Sequence, residues 1–115
     1  MEKTIEIGNQ NLVLRSSLYS LINYKARFGT ELFNDIKRIE DVKEENITDV
    51  LEVIFRIVFV LTNPKEGETF EDFMNGFDLS ILSDAKLLER LSNAIVELLK
   101  TDGKEGEDKG EAFRQ

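Results

Sequence analysis

A mostly helical α+β domain, with an N-terminal β-hairpin packed on a bundle of about five helices and a disordered acidic C-terminal tail, is predicted by three features of this sequence. Apolar and polar residues alternate in strict succession only near the N-terminus. From Leu18 to about residue 100 the apolar residues recur instead at helical spacing. The stretch "TDGKEGEDKGEAFRQ" then holds three glycines, eight charged residues and only Ala112 and Phe113 as apolar ones, too few to repay the entropy of ordering. One domain over residues 1–100 and a tail over 101–115 follow.

The hairpin lies in "TIEIGNQNLVLR". Ile5 and Ile7 alternate with Thr4 and Glu6, and Leu12 and Leu14 with Val13 and Arg15, so each strand has one apolar face. Pairing Ile7 with Leu12 and Ile5 with Leu14 leaves Gly8 to Asn11 as a four-residue loop and puts all four side chains on one side. Ser16 and Ser17 suit the cap of a first helix. In it Leu18, Leu21, Ile22 and Phe28 are expected to face inward, and Ser20, Asn23 and Arg27 outward. Gly29 suits a left-handed helix end, and Thr30 the cap of a second helix carrying Leu32, Phe33, Ile36 and Ile39, with Lys37 and Arg38 in its last turn.

The polar run "EDVKEENIT" reads as a loop ending in Thr48 as N-cap, with Asp49 in the first turn of the helix that follows. In "VLEVIFRIVFVL" only Glu52 and Arg56 are polar, and their spacing of four places them on one strip facing water. A helix apolar almost all round must be covered nearly everywhere. A small domain has few layers for this, so the segment argues for burial partly across a homo-oligomer interface. Asn63 before Pro64 stops the helix. Thr69 and Asp72 start a short helix, "FEDFMNGF", and Ser83 with Asp84 start a last one whose Leu87, Leu88, Leu91, Ala94, Ile95, Leu98 and Leu99 keep the helical period without a break.

Charge and residue types narrow the function. Twenty-three acidic against fifteen basic residues give a formal charge of −8, and Lys and Arg are not gathered into a stripe, so nucleic acid is not an expected partner. No apolar run approaches the roughly 20 residues of a membrane span, and "MEKTIEIGNQ" lacks the pattern of a secretory signal. The absence of Cys fits a reducing cytosol. With neither His nor Cys, and no phosphate loop, nucleophile elbow or EF-hand loop, no enzyme, cofactor or metal site is expected. The neighbouring carboxylates Glu44 and Glu45, and Glu71 and Asp72, read as solvated surface, and Asn46-Ile47-Thr48 as a cap rather than a glycosylation site. Phe70, Phe73 and Phe77 fall close together on a short segment, either as core or as part of a partner-binding surface rimmed by charge. Tyr24 and Phe28 join them as candidate partner-binding residues.

Taken in order, these elements resemble the tail assembly chaperones of long-tailed bacteriophages and prophages, particularly those of Gram-positive hosts. The likeness covers residues 1 to about 100: the hairpin, the glycine-broken aromatic segment "SLYSLINYKARFGTELFNDI", the apolar "VLEVIFRIVFVL" and the acidic-aromatic "TFEDFMNGFD". Many relatives carry a Trp in the third or fourth of these, where this chain has Phe55, Phe59 and Phe73. The resemblance implies a non-enzymatic protein of the bacterial host cytoplasm, absent from the mature virion. Its implied work is to bind the tape measure protein, keep it soluble, and help recruit tail tube subunits. The rival from another class is an acidic regulator that mimics DNA and inhibits a nucleic-acid enzyme, although basic residues interrupt its carboxylates.

In the chaperone family a longer form made by ribosomal frameshifting recruits the tail tube protein. After residue 97, only Leu98-Leu99-Lys100 permits a minus-one slippery heptamer, as T TTA AAN. On that reading residues 101–115 belong to the short form alone.

Overall fold

The structure, a computed structural model, describes residues 2–39 and 47–103, without the side chains from residue 100 onward. The expected loop with Glu44, Glu45 and Asn46 lies outside the described residues, as does the expected tail over 101–115 except for residues 101–103, which continue the last helix instead of starting a tail. The architecture is α+β and mostly helical: a two-stranded antiparallel hairpin of β1 (Glu2–Ile7) and β2 (Gln10–Arg15), followed by α1 (Leu18–Phe28), α2 (Leu32–Ile39), α3 (Ile47–Leu61), α4 (Phe70–Asn75) and α5 (Leu87–Gly103).

The hairpin corrects the predicted register. Ile5 pairs with Leu12 and Ile7 with Gln10, so the loop is Gly8-Asn9 and two residues long. Gly8 takes φ 63° at the first central position, as a type II′ turn demands. The slip relative to the expected pairing is two residues, one full side-chain period, so Ile5, Ile7, Leu12 and Leu14 still share the inner face. That face rests on α5 and α3. The turn is tied down by Gln10, whose Nε2 donates to the Gly76 carbonyl at 2.9 Å, and by Ile81, whose Cγ2 lies 3.2 Å from where a Cβ on Gly8 would stand.

Ser17 begins α1, its N–H donating to Ser20 Oγ at 3.2 Å, and Gly29 ends it at φ 77° with its N–H on the Lys25 carbonyl at 2.8 Å. Its inward face is not the predicted one. Ser20 and Tyr24 are buried and Leu21 and Phe28 half-buried, whereas Leu18 and Ile22 point outward. Polar anchoring sets this rotation. Tyr24 reaches a buried carboxylate on α2, and Arg27 donates to the carbonyls of Glu68 at 2.7 Å and Lys65 at 3.3 Å. In α2, likewise, Asp35 is buried and Phe33 exposed, and Thr30 does not cap but donates its hydroxyl to Asp35 Oδ2 at 2.7 Å.

The apolar helix α3 is the centre of the molecule. Val50, Val53, Ile54, Phe55 and all of Ile57–Leu61 are buried against α1, α2, α4, α5 and β2, while Glu52 and Arg56 form the expected outer ion pair at 3.0 Å. One copy therefore encloses it, and its oiliness gives no reason for an oligomer. Thr48 stands inside this helix rather than capping it. Asn63, at φ 58°, stops it before Pro64, with the Asn63 N–H on the Val60 carbonyl at 3.0 Å. Thr69 caps α4 as expected, its Oγ1 accepting from the Asp72 N–H at 3.1 Å. A 3-10 helix, Leu79–Ser83, capped by Asp78, takes up Ser83, so α5 starts later than expected, at Leu87. Its stripe of Leu87, Leu91, Ala94, Ile95 and Leu98 is buried, and Leu88 and Leu99 are half-buried.

Candidate protein-interaction site

The predicted aromatic residues do come together. Their rings form an unbroken seam through α1, α3, α4 and the turn just after α4: Tyr24 to Phe28 at 5.0 Å between centroids, Phe28 to Phe70 at 5.4 Å, Phe70 to Phe59 at 5.9 Å, Phe59 to Phe73 at 5.2 Å, Phe73 to Phe77 at 5.1 Å and Phe77 to Phe55 at 5.7 Å. Edge-to-face and tilted pairs at these separations set the positive rim of one ring near the negative face of the next, and each is worth about 0.5–1.5 kcal/mol beyond area burial. Two cations lie over ring faces, Arg27 over Phe59 at 5.0 Å and Arg56 over Phe28 at 4.9 Å.

The seam grades from inside to outside. Phe55 and Phe59 are buried, while Phe28, Phe70, Phe73 and Phe77 are half-buried at its outer margin. Beside the margin, an open cleft of about 340 Å³ is lined by Phe59, Phe73, Thr62, Pro64, Glu68 and Asp72. It offers an apolar floor and an acidic rim. Tyr24 belongs elsewhere: it is fully buried, its hydroxyl donating to Asp35 Oδ2 at 2.6 Å, and it presents nothing to a partner. Burial, and after it the bond to the Asp35 carboxylate, push the Tyr24 hydroxyl well above the ordinary phenol range.

A second apolar surface lies on α1. Leu18 is 82% exposed, Tyr19 62% and Ile22 64%, and at spacings of one and four residues they form a stripe on the outer face of α1 that continues to the exposed Ala26. Phe33 on α2 is 53% exposed. The sequence carries its signal, since Leu18 and Ile22 share a helix face, but that face turns to solvent rather than inward.

Among the described residues no group of three or more carboxylates converges to hold a metal ion, and no helix is long and apolar enough to cross a membrane. What the site offers is shape, oil and negative charge: an aromatic margin beside an acid-rimmed cleft, and a bare helical stripe. Compared with known proteins, the chain matches no family model, no curated protein and no solved structure.

Proposed function

We propose that this chain is a tail assembly chaperone of a long-tailed phage or prophage, a non-enzymatic protein that binds the tape measure protein, keeps it soluble and helps recruit tail tube subunits through a longer frameshifted form. It works in the bacterial host cytoplasm and leaves before the virion is complete. The observation that carries the reading is the stripe of Leu18, Tyr19 and Ile22, large apolar side chains left uncovered on a domain whose sequence has a net charge of −8. Exposed apolar helix faces mark sites where another chain's apolar surface docks. The chain's net negative charge keeps such a protein dissolved while its patches are empty. The resemblance in element order over residues 1 to about 100 supplies the identity of the partner.

Co-expression with the candidate tape measure protein tests this. The tape measure protein is expected to become soluble and to copurify with the chain, and Leu18→Glu combined with Ile22→Glu is expected to abolish both effects while the variant stays folded. A tape measure protein that remains insoluble beside the unaltered chain sinks the proposal. Capture of a nuclease or polymerase instead would favour the regulatory alternative.

A further inference from the structure

Among the described residues the sheet has two strands, and β1 has one edge without a ladder partner there. The register decides which backbone groups face it. Ile7 and Gln10 close the two-residue turn as a hydrogen-bonded pair, and in an antiparallel ladder the alternate pairs Ile5–Leu12 and Lys3–Leu14 are then hydrogen-bonded too. Glu2, Thr4 and Glu6 therefore turn their N–H and C=O groups outward. The Glu6 carbonyl is met there by Arg90 Nη2, at a long 3.5 Å.

α5 runs beside this edge in the opposite sense. Lys3 Nζ meets Glu97 Oε1 at 2.6 Å at one end, and Arg90 meets Glu6 at the other. Seven residues of helix and three of strand both span roughly 10 Å, so the two elements stay level. An open groove of about 400 Å³ follows them, lined by Thr4, Ile5, Asn93 and Ala94 between the charged ends.

We propose that this edge is self-complementary, and that a second copy of the chain adds its own β1 antiparallel to the first, joining two two-stranded sheets into one of four strands and laying α5 along its counterpart. The charge order selects the register. Centred on Ile5, the outward backbone of Thr4 meets that of Glu6 in the second copy, twice over, and no like charges stand opposite. Centring on Thr4 would oppose Glu2 to Glu6, and centring on Lys3 would oppose Lys3 to itself, both unfavourable pairs. On the helix, positions 90 and 97 are equally distant from the midpoint between Asn93 and Ala94. A two-fold axis there brings Arg90 opposite Glu97 of the second copy at both ends. Because Lys3 is level with Glu97 and Glu6 with Arg90, the helix midpoint falls level with a point between Thr4 and Ile5, half a strand residue (roughly 1.7 Å) from the strand centre, an offset that the long side chains of Arg90 and Glu97 can span. A sequence that reads plus then minus is its own complement when reversed, which is why the occupant is another copy. The present ion pairs of Lys3 and Arg90 are exposed and exchange readily. The inference stands whether or not the chaperone reading holds.

Sedimentation velocity on the full chain across a concentration series is the test. A reversible monomer–dimer equilibrium is expected. Thr4→Pro removes one outward N–H and spares the hairpin's own ladder, so it is expected to weaken the dimer at least tenfold, whereas Thr4→Val leaves it unchanged. Arg90→Glu or Glu97→Arg alone weakens it, and the two together restore it, because opposite signs meet again across the axis. Within one copy that double exchange instead opposes Lys3 and Asp84, the present partners of Glu97 and Arg90. Circular dichroism identifies variants that keep the fold, and the charge pair decides the matter if Thr4→Pro does not. A chain that is monomeric throughout, or a dimer indifferent to these changes, overturns the proposal.

Discussion

The hydroxyl of Tyr24 and the carboxylate of Asp35 meet at 2.6 Å in the interior, locking α1 to α2 eleven residues apart in sequence. Thr30 supplies a second hydroxyl to the same oxygen, and Arg38 lies 3.6 Å from the other. Removing one donor from a buried charged acceptor leaves part of its desolvation uncompensated, so Tyr24→Phe is expected to destabilise the fold by about 2 kcal/mol in urea denaturation at neutral pH.

The same contact gives an alkaline signature. The folded state holds the Tyr24 proton more tightly than the unfolded chain does, because burial and Asp35 disfavour the phenolate. The stabilisation is thus fully present below the ordinary phenol value of about 10 and is lost as pH rises above it. Urea midpoints measured from neutral to alkaline pH should fall more steeply for the parent chain than for Tyr24→Phe.

Two glycines in the left-handed region should answer differently to alanine. At Gly29 a Cβ would meet nothing within 4 Å, so only backbone strain remains and Gly29→Ala is expected to cost about 1–2 kcal/mol. At Gly8 the same strain combines with Ile81 Cγ2 at 3.2 Å, and the loss of thermal stability should be larger.

Phenylalanines at the two ends of the burial range make a further contrast. Phe59 is buried, touches Phe70 and Phe73 and carries Arg27 over its face, so Phe59→Ala is expected to cost about 3–5 kcal/mol. Phe33→Ser, at an exposed position, should change the unfolding free energy by no more than about 0.5 kcal/mol.

The stripe on α1 should behave like surface in the same assay. Leu18→Glu and Ile22→Glu are each expected to shift the urea midpoint little, by the equivalent of about 0.5 kcal/mol or less, because neither side chain is packed in the core. A large loss would mean that these residues support the fold rather than await a partner.

Much of this architecture was legible because hydrophobic period is a local property. Alternation marked β1 and β2, and the breaks at Gly29 and Asn63-Pro64 marked helix ends. Facing was harder. Hydrophobicity ranks Leu18 and Ile22 above Ser20 and Tyr24, yet a carboxylate eleven residues further along turns α1 toward Tyr24, and no window on α1 alone contains that information. Loop length in the hairpin escaped for a related reason, since a shift of two residues leaves every side chain on its own face. The 3-10 helix Leu79–Ser83 is too short to display any period. For the site, the nearness of Phe70, Phe73 and Phe77 was readable from spacing, while their engagement with Phe55 and Phe59 depends on how α4 folds back over α3.

Because α1, α2, α4, α5 and β2 all lean on α3, detaching any one of them lays bare an oily cylinder that water tolerates poorly. Such a hub leaves little room for partly open states: loosening one spoke loosens the wheel. The amides of α3 should therefore be the last to trade their protons for deuterons, and the chain should come apart as one cooperative unit.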